Sequence, residues 1–127
     1  MAALILLVDD NAIQAATRKA ILTRSGRSVM VASCGDQALQ MMAETTPARP
    51  VRLVITDHLM PGMDGPTFVS ELRRLYPRVP VLVLSGLADA EDEYQSLDVT
   101  FRGKPLPPEE MLELVRVLLN EPIAKTA

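Results

Sequence analysis

Asp9 and Asp10 stand side by side at the end of one apolar run, and Asp57 closes another. Ser85 and Lys104 follow two more runs further along. Each of these residues comes after a stretch of strand length and before turn formers, so each belongs at the carboxyl end of a predicted strand. In α/β folds that is the edge where ligands bind. Three carboxylates gathered there repel one another and raise each other's pKa unless a cation sits among them. Oxygen-only ligands in an open cluster suit Mg²⁺, which keeps several of its waters. Lys104 adds positive charge and Ser85 a hydroxyl donor. A metal, a carboxylate nucleophile and an opposing cation are what phosphoryl transfer needs. The plainer alternatives are that Asp9 and Asp10 cap a helix, that Asp57 and Ser85 belong to turns, and that Lys104 is a solvated lysine.

The elements that must position these residues alternate in period. Leu4 to Val8 is a continuous apolar run, as in a strand buried on both faces. Asn11 caps the helix that follows, whose apolar stripe is Ile13, Ala16, Ala20 and Ile21 through Arg24, and Gly26 stops it. Ser28 to Ala32 reads as a second strand. Ser33 and Asp36 resemble a capping box ahead of a helix striped by Ala38, Leu39, Met41 and Met42. The third strand runs from Leu53 to Thr56. Pro66 suits the first turn of the next helix, with Phe68, Val69, Leu72 and Leu75 on its buried face and Pro77 ending it. Val81 to Leu84 is a fourth strand. Residues 87–98 are acidic and weakly periodic, and predict a short helix with Leu87, Tyr94 and Leu97 as apolar points. Val99 to Arg102 is a fifth strand. Pro107 and Pro108 open a last helix, with Glu109 and Glu110 in its first turn and Met111, Leu112, Leu114, Val115, Leu118 and Leu119 on its apolar face.

Five strand–helix alternations imply an α/β fold, a five-stranded parallel sheet with helices on both faces. Right-handed crossovers leave few topologies. The doubly wound, flavodoxin-like order 2-1-3-4-5 fits best and sets the first and third strands together at the switch point. With 127 residues the chain is one domain, 1–120, with a short tail, 121–127.

Composition narrows the setting. Hydrophobic residues make up 48%, with no Trp, two Phe and two Tyr, so the core is aliphatic with Met filling gaps. A formal net charge of −3 argues against a duplex-binding face and thus against direct DNA binding. The single cysteine, Cys34, cannot form an internal disulfide and fits a reduced, cytoplasmic setting. It reads as a packing residue at a helix start, because the only histidine, His58, lies on a different loop. His58 itself reads as a surface loop residue. The first apolar run lacks a positive leader and stops at Asp9, as a strand would and a signal peptide would not. No apolar run is long enough to span a membrane.

VDDN at 8–11, Asp57 with MPGMDG at 60–65, LSG at 84–86 and GKP at 103–105 together resemble the receiver domain of bacterial response regulators, over residues 4 to about 119. The resemblance implies that Asp57 accepts a phosphoryl group from a phosphohistidine on a sensor histidine kinase or a histidine phosphotransfer protein. It implies that Asp10 binds Mg²⁺ directly, that Asp9 assists, and that Asp57 and the backbone carbonyl of Leu59 complete the protein ligands. Lys104 would pair with one phosphoryl oxygen and Ser85 would move to hydrogen-bond another. Phe101 matches the family's switch aromatic, which turns inward when Ser85 moves. The Lys104–Pro105 bond would be cis. The added charge of about −1.5 to −2 would draw Ser85 and Lys104 toward Asp57 and bias a surface made by the fourth helix, fifth strand and fifth helix, read by an unknown downstream protein. Such a protein is a signalling module that catalyses only its own phosphorylation and dephosphorylation.

The chain also departs from the family pattern. Lys104 follows Ser85 by 19 positions, about three fewer than in the commonest receivers, and the usual small-residue turn before the fifth strand is missing. The fourth helix is therefore expected to be short, shifted or mobile. These features look more like receivers of hybrid sensor kinases. Leu106 stands where Phe is frequent, which alters packing there. Apolar Leu59, two residues after Asp57, is expected to hinder water and slow dephosphorylation. No effector domain follows Leu119, so the chain is a stand-alone receiver or part of a longer protein. Two other functions compete. A haloacid-dehalogenase-type phosphatase carries an acid two residues after the nucleophile, where this chain has Leu59. A non-phosphorylated interaction domain would have lost Asp57, an acidic partner or Lys104, and none is lost.

Overall fold

Every residue of Leu4–Val8 is buried, because both faces of the strand are covered. Leu4, Leu6 and Val8 pack on one side with Phe68, Val69 and Leu72. Ile5 and Leu7 pack on the other with Ala15, Leu22, Met111 and Val115. The alternation follows from the two-residue period of a strand. In this computed structural model, which describes residues 4–120, five strands form one parallel sheet. They are β1 (Leu4–Val8), β2 (Ser28–Ala32), β3 (Val51–Asp57), β4 (Val81–Ser85) and β5 (Thr100–Gly103), in the order β2-β1-β3-β4-β5. The helices are α1 (Ala12–Arg24), α2 (Gly35–Glu44), α3 (Gly65–Leu75) and α4 (Pro108–Leu118). This is the expected doubly wound order. The tail at 121–127 lies outside the described residues.

Strand β3 starts at Val51 and runs to Asp57, so Asp57 is the last strand residue and its backbone is fixed by the ladder. Asn11 caps α1 through Oδ1, which accepts from the backbone N–H of Ile13 and of Gln14 at 3.0 Å each. Asp64 caps α3, accepting from the Thr67 N–H at 2.8 Å. These two caps begin the helices that leave the loops after Asp10 and after Asp57.

Three expectations fail in physically informative ways. The inward face of α1 is Ala15 and Leu22, with Arg18 between them, while Ile13 is 80% exposed. Ala16 and Ala20 face solvent. The apolar residues of this helix lie on both faces, and hydropathy picked the wrong one. The Ser33–Asp36 capping box does not form, because the N-cap of α2 is Cys34, one residue later. Ser33 instead donates its backbone N–H and its hydroxyl to Gln37 Oε1, at 2.6 and 2.9 Å. Leu75 is exposed at the end of α3, where the helix stops at Tyr76 and Pro77.

The connection between β4 and β5 carries the short helix that was expected, in 3₁₀ form over Ala88–Tyr94. Its return to β5 uses positive φ at Ser96 and Asp98, 69° and 54°. Arg73 on α3 holds that return: its guanidinium donates to the carbonyls of Leu97, Asp98 and Val79 at 2.7, 2.6 and 2.5 Å. One long side chain thus does what a small-residue turn does elsewhere.

Phe68 is fully buried at the contact of α3 with the sheet. Phe68→Ala is expected to cost about 3–5 kcal/mol, read as a lower urea midpoint at unchanged slope. A loss below about 1 kcal/mol would show that this layer closes over the gap.

Candidate functional site

Parallel pairing sets the ends of β1, β3, β4 and β5 level. Val8 pairs with Thr56, Asp57 with Leu84 and Ser85 with Gly103. The ladder continues into the loops through Asp9 N–H to the Ala32 carbonyl, His58 N–H to Leu84 and Lys104 N–H to Ser85, at 3.0, 2.9 and 2.8 Å. The residues predicted to work together are therefore fixed at one sheet edge by backbone bonds.

Asp9, Asp10 and Asp57 each offer a carboxylate oxygen, and these oxygens lie within 4.8 Å of one another. Asp9 and Asp57 are buried and Asp10 is exposed. Three hard oxygen donors with one side open to solvent can hold a metal ion. Lys104 Nζ sits 3.0 Å from Asp57 Oδ1. The Lys104–Pro105 bond is cis.

Arg18 completes the cluster. Its Nη1 lies 2.9 Å from Asp9 Oδ2 and 3.2 Å from Asp57 Oδ1. Its Nη2 donates to Gln14 Oε1 at 3.2 Å, and Lys104 Nζ reaches the same oxygen at 3.3 Å. Sequence reasoning missed both Arg18 and Gln14, because it turned the wrong face of α1 inward. Counting from the Asn11 cap along 15, 18 and 22 would have found the arginine. Even with this cation present, the Asp9 carboxyl is pushed up to about 6. Burial is the main cause, followed by the neighbouring Asp57 carboxyl; the Asn11 N–H and the Arg18 charge oppose it.

The remaining predicted residues stand near but apart. The Ser85 oxygen accepts from the Leu87 N–H at 2.9 Å, so the hydroxyl is engaged with its own loop. Leu59 is 65% exposed. Phe101 is half-buried, with its ring centroid 5.9 Å from that of Tyr94.

His58 is not a surface residue. It is buried, with Nδ1 2.6 Å from the Tyr94 hydroxyl and Nε2 3.4 Å from Glu93 Oε2. Burial, together with the charges of Glu93 and Asp64, pushes the Tyr94 hydroxyl up, so it keeps its proton. A carboxylate only accepts. Nε2 therefore carries the hydrogen toward Glu93, and Nδ1 shares a hydrogen bond with the Tyr94 hydroxyl. Gly65 makes room for this pair: a Cβ there would lie 2.0 Å from the Tyr94 hydroxyl oxygen and 2.9 Å from the His58 carbonyl oxygen. His58 was missed because a polar residue after a strand ordinarily faces water, and its partner lies 36 positions away.

The family model of the response regulator receiver domain matches residues 5–116. The chain belongs to this family. The sensor kinase CckA of Brucella abortus (strain 2308) is 35% identical to this receiver over 107 residues, 84% of this chain and 11% of that protein. The solved receiver domain of the hybrid histidine kinase CckA is 31% identical, with a TM-score of 0.77 over 92% of this chain and 99% of that one. The chemotaxis protein CheY4 of Vibrio cholerae is 26% identical, with a TM-score of 0.83 over 93% of this chain and 99% of that one. The chain spans less than half the length of the first curated relatives it matches. It is a receiver domain of the kind found in two-component signalling. Among the described residues no helix is long and apolar enough to cross a membrane.

Asp9 gives this receiver a testable pH dependence. Folded Asp9 keeps its proton up to about 6, whereas the ordinary value is 3.8. The stability it contributes is complete below the unfolded value and is lost as pH rises through the folded one. In chelator at about pH 7.5, Asp9→Asn is expected to melt above wild type, and the gap should close toward about pH 4.5. A variant that melts at or below wild type at the higher pH would show that pairing with Arg18 outweighs burial.

Proposed function

We propose that this receiver takes a phosphoryl group onto Asp57 from a phosphohistidine of a sensor histidine kinase or histidine phosphotransfer protein, with Mg²⁺ as cofactor. The observation that carries the reading is Lys104 Nζ, 3.0 Å from a buried aspartate inside a three-carboxylate cluster. The donor chemistry fits Mg²⁺, since every side-chain ligand is a hard oxygen and the Arg18 guanidinium already stands among them as a cation. Asp9, Asp10, Asp57 and the backbone carbonyl of Leu59 would hold the ion, with Asp10 as a direct ligand. When bound, Mg²⁺ offsets the charge that gathers on the transferring group.

An Asp57 oxygen forms the new bond to phosphorus while the phosphorus–nitrogen bond of the donor breaks, and the imidazole leaves with that electron pair. Lys104 receives a phosphoryl oxygen where it now meets Asp57. Ser85 exchanges its bond with Leu87 for a second phosphoryl oxygen, and Phe101 turns inward behind it. The face made by the 3₁₀ segment, β5 and α4 then changes shape for a downstream protein partner. With a net charge of −3, the receiver reads out through protein and not by direct DNA binding. The lone cysteine, half-buried at the start of α2, suits a reduced, cytoplasmic setting.

Intact-mass spectrometry after incubation with Mg²⁺ and acetyl phosphate is expected to show one added phosphoryl group in wild type and none in Asp57→Ala. Labelling of Asp57→Ala at wild-type level would remove Asp57 as the acceptor. Leu59 is apolar, exposed and two residues after Asp57, and in this reading it hinders water at the phosphorylated aspartate. Leu59→Asn is therefore expected to speed phosphate loss severalfold, followed as decay of the phosphorylated mass. An unchanged or slower rate would count against a screening role for Leu59.

A further inference from the structure

Arg18 places a cation of the chain's own on two of the carboxylates a metal ion would use. Its side chain is 14% exposed, and its Nη1 touches Asp9 Oδ2 and Asp57 Oδ1 together. Gln14, one turn earlier on α1, steadies Nη2. A Mg²⁺ ligand shell draws its oxygens to about 2.0–2.1 Å and demands near-octahedral directions. A guanidinium bonded to the same two carboxylates at 2.9 and 3.2 Å crowds that shell, and the two positive charges repel. The arginine has somewhere to go. Beside the site lies an open groove lined by Ile13, Gln14, Thr17, Lys104, Leu106 and Met111.

We propose that Arg18 is a tethered counter-ion that competes with the divalent cation for Asp9 and Asp57, so that loading the site means swinging the guanidinium out. Arg18 is a positioning residue in this role. It holds the two buried carboxylates together and sets how much metal is needed to take them over. Because it is tethered, its local concentration is fixed by the helix and not by the medium. The inference rests on the Mg²⁺ reading given above.

The test is a Mg²⁺ titration of the full chain, followed by amide NMR shifts of Asp10, Asp57 and Leu59, which needs no phosphodonor. Arg18→Met is expected to bind Mg²⁺ about tenfold more tightly than wild type, as loss of two charge-assisted bonds from the competing state implies. Lys19→Met removes the same charge one position along, from an exposed site, and is expected to change affinity less than about twofold. In wild type, the Arg18 side-chain Nε–H signal should shift over the same Mg²⁺ range as the Asp57 amide, which keeps the test open if Arg18→Met folds poorly. Equal affinity in Arg18→Met and wild type, equal gains in both variants, or an Arg18 signal indifferent to Mg²⁺ would overturn the proposal alone. No Mg²⁺ binding in either wild type or Arg18→Met would overturn the metal reading of the cluster and the proposal with it.

Discussion

Repulsion among Asp9, Asp10 and Asp57 is the constraint on which the rest of the structure turns. Oxygens of the three carboxylates lie within 4.8 Å, and two of the groups are out of water. Burial disfavours their charged forms and proximity makes it worse. The fold answers with cations from two directions: Lys104 from the loop after β5 and Arg18 from α1. The answer is incomplete, as the elevated Asp9 carboxyl shows. A cluster left under this electrostatic load keeps a standing affinity for further positive charge.

The sheet makes the load possible. Backbone ladders fix the ends of four parallel strands level, and they do so with groups that need no side-chain chemistry. The two apolar layers hold the strands from either face, so the carboxylates at the strand ends need not supply the core. Stability and chemistry are separated in space: Phe68 and Leu22 serve the first, Asp57 and Lys104 the second.

Much of this was legible in the chain. Five apolar runs, four of them followed by Asp9, Asp57, Ser85 or Lys104, gave away the sheet, its order and the edge where polar residues meet. A strand's two-residue period and a closing polar residue are local signals. What was not legible depended on rotation or on long-range pairing. Helix α1 carries Ile13, Ala16 and Ala20 on one side and Ala15 and Leu22 on the other. Hydropathy cannot choose between such faces, and it counts Arg18 as polar although a long stem can lie along a core with its charge elsewhere. His58 was misread because burial of a polar residue depends on a partner, Tyr94, in a segment with little periodicity. Leu75 followed the right helical spacing, but the helix stops with it.

The short connection between β4 and β5 is fastened twice. Tyr94 bonds His58, the residue after Asp57, and the carbonyls of Leu97 and Asp98 are gripped by Arg73 of α3. Mechanically, this is a span pinned at two piers, both of them anchored to the polypeptide on either side of the loop that carries Leu59. A longer connection with a full helix would spread any displacement over several turns. Here the connection is only a few residues long, and the Tyr94 ring that pins it lies against Phe101.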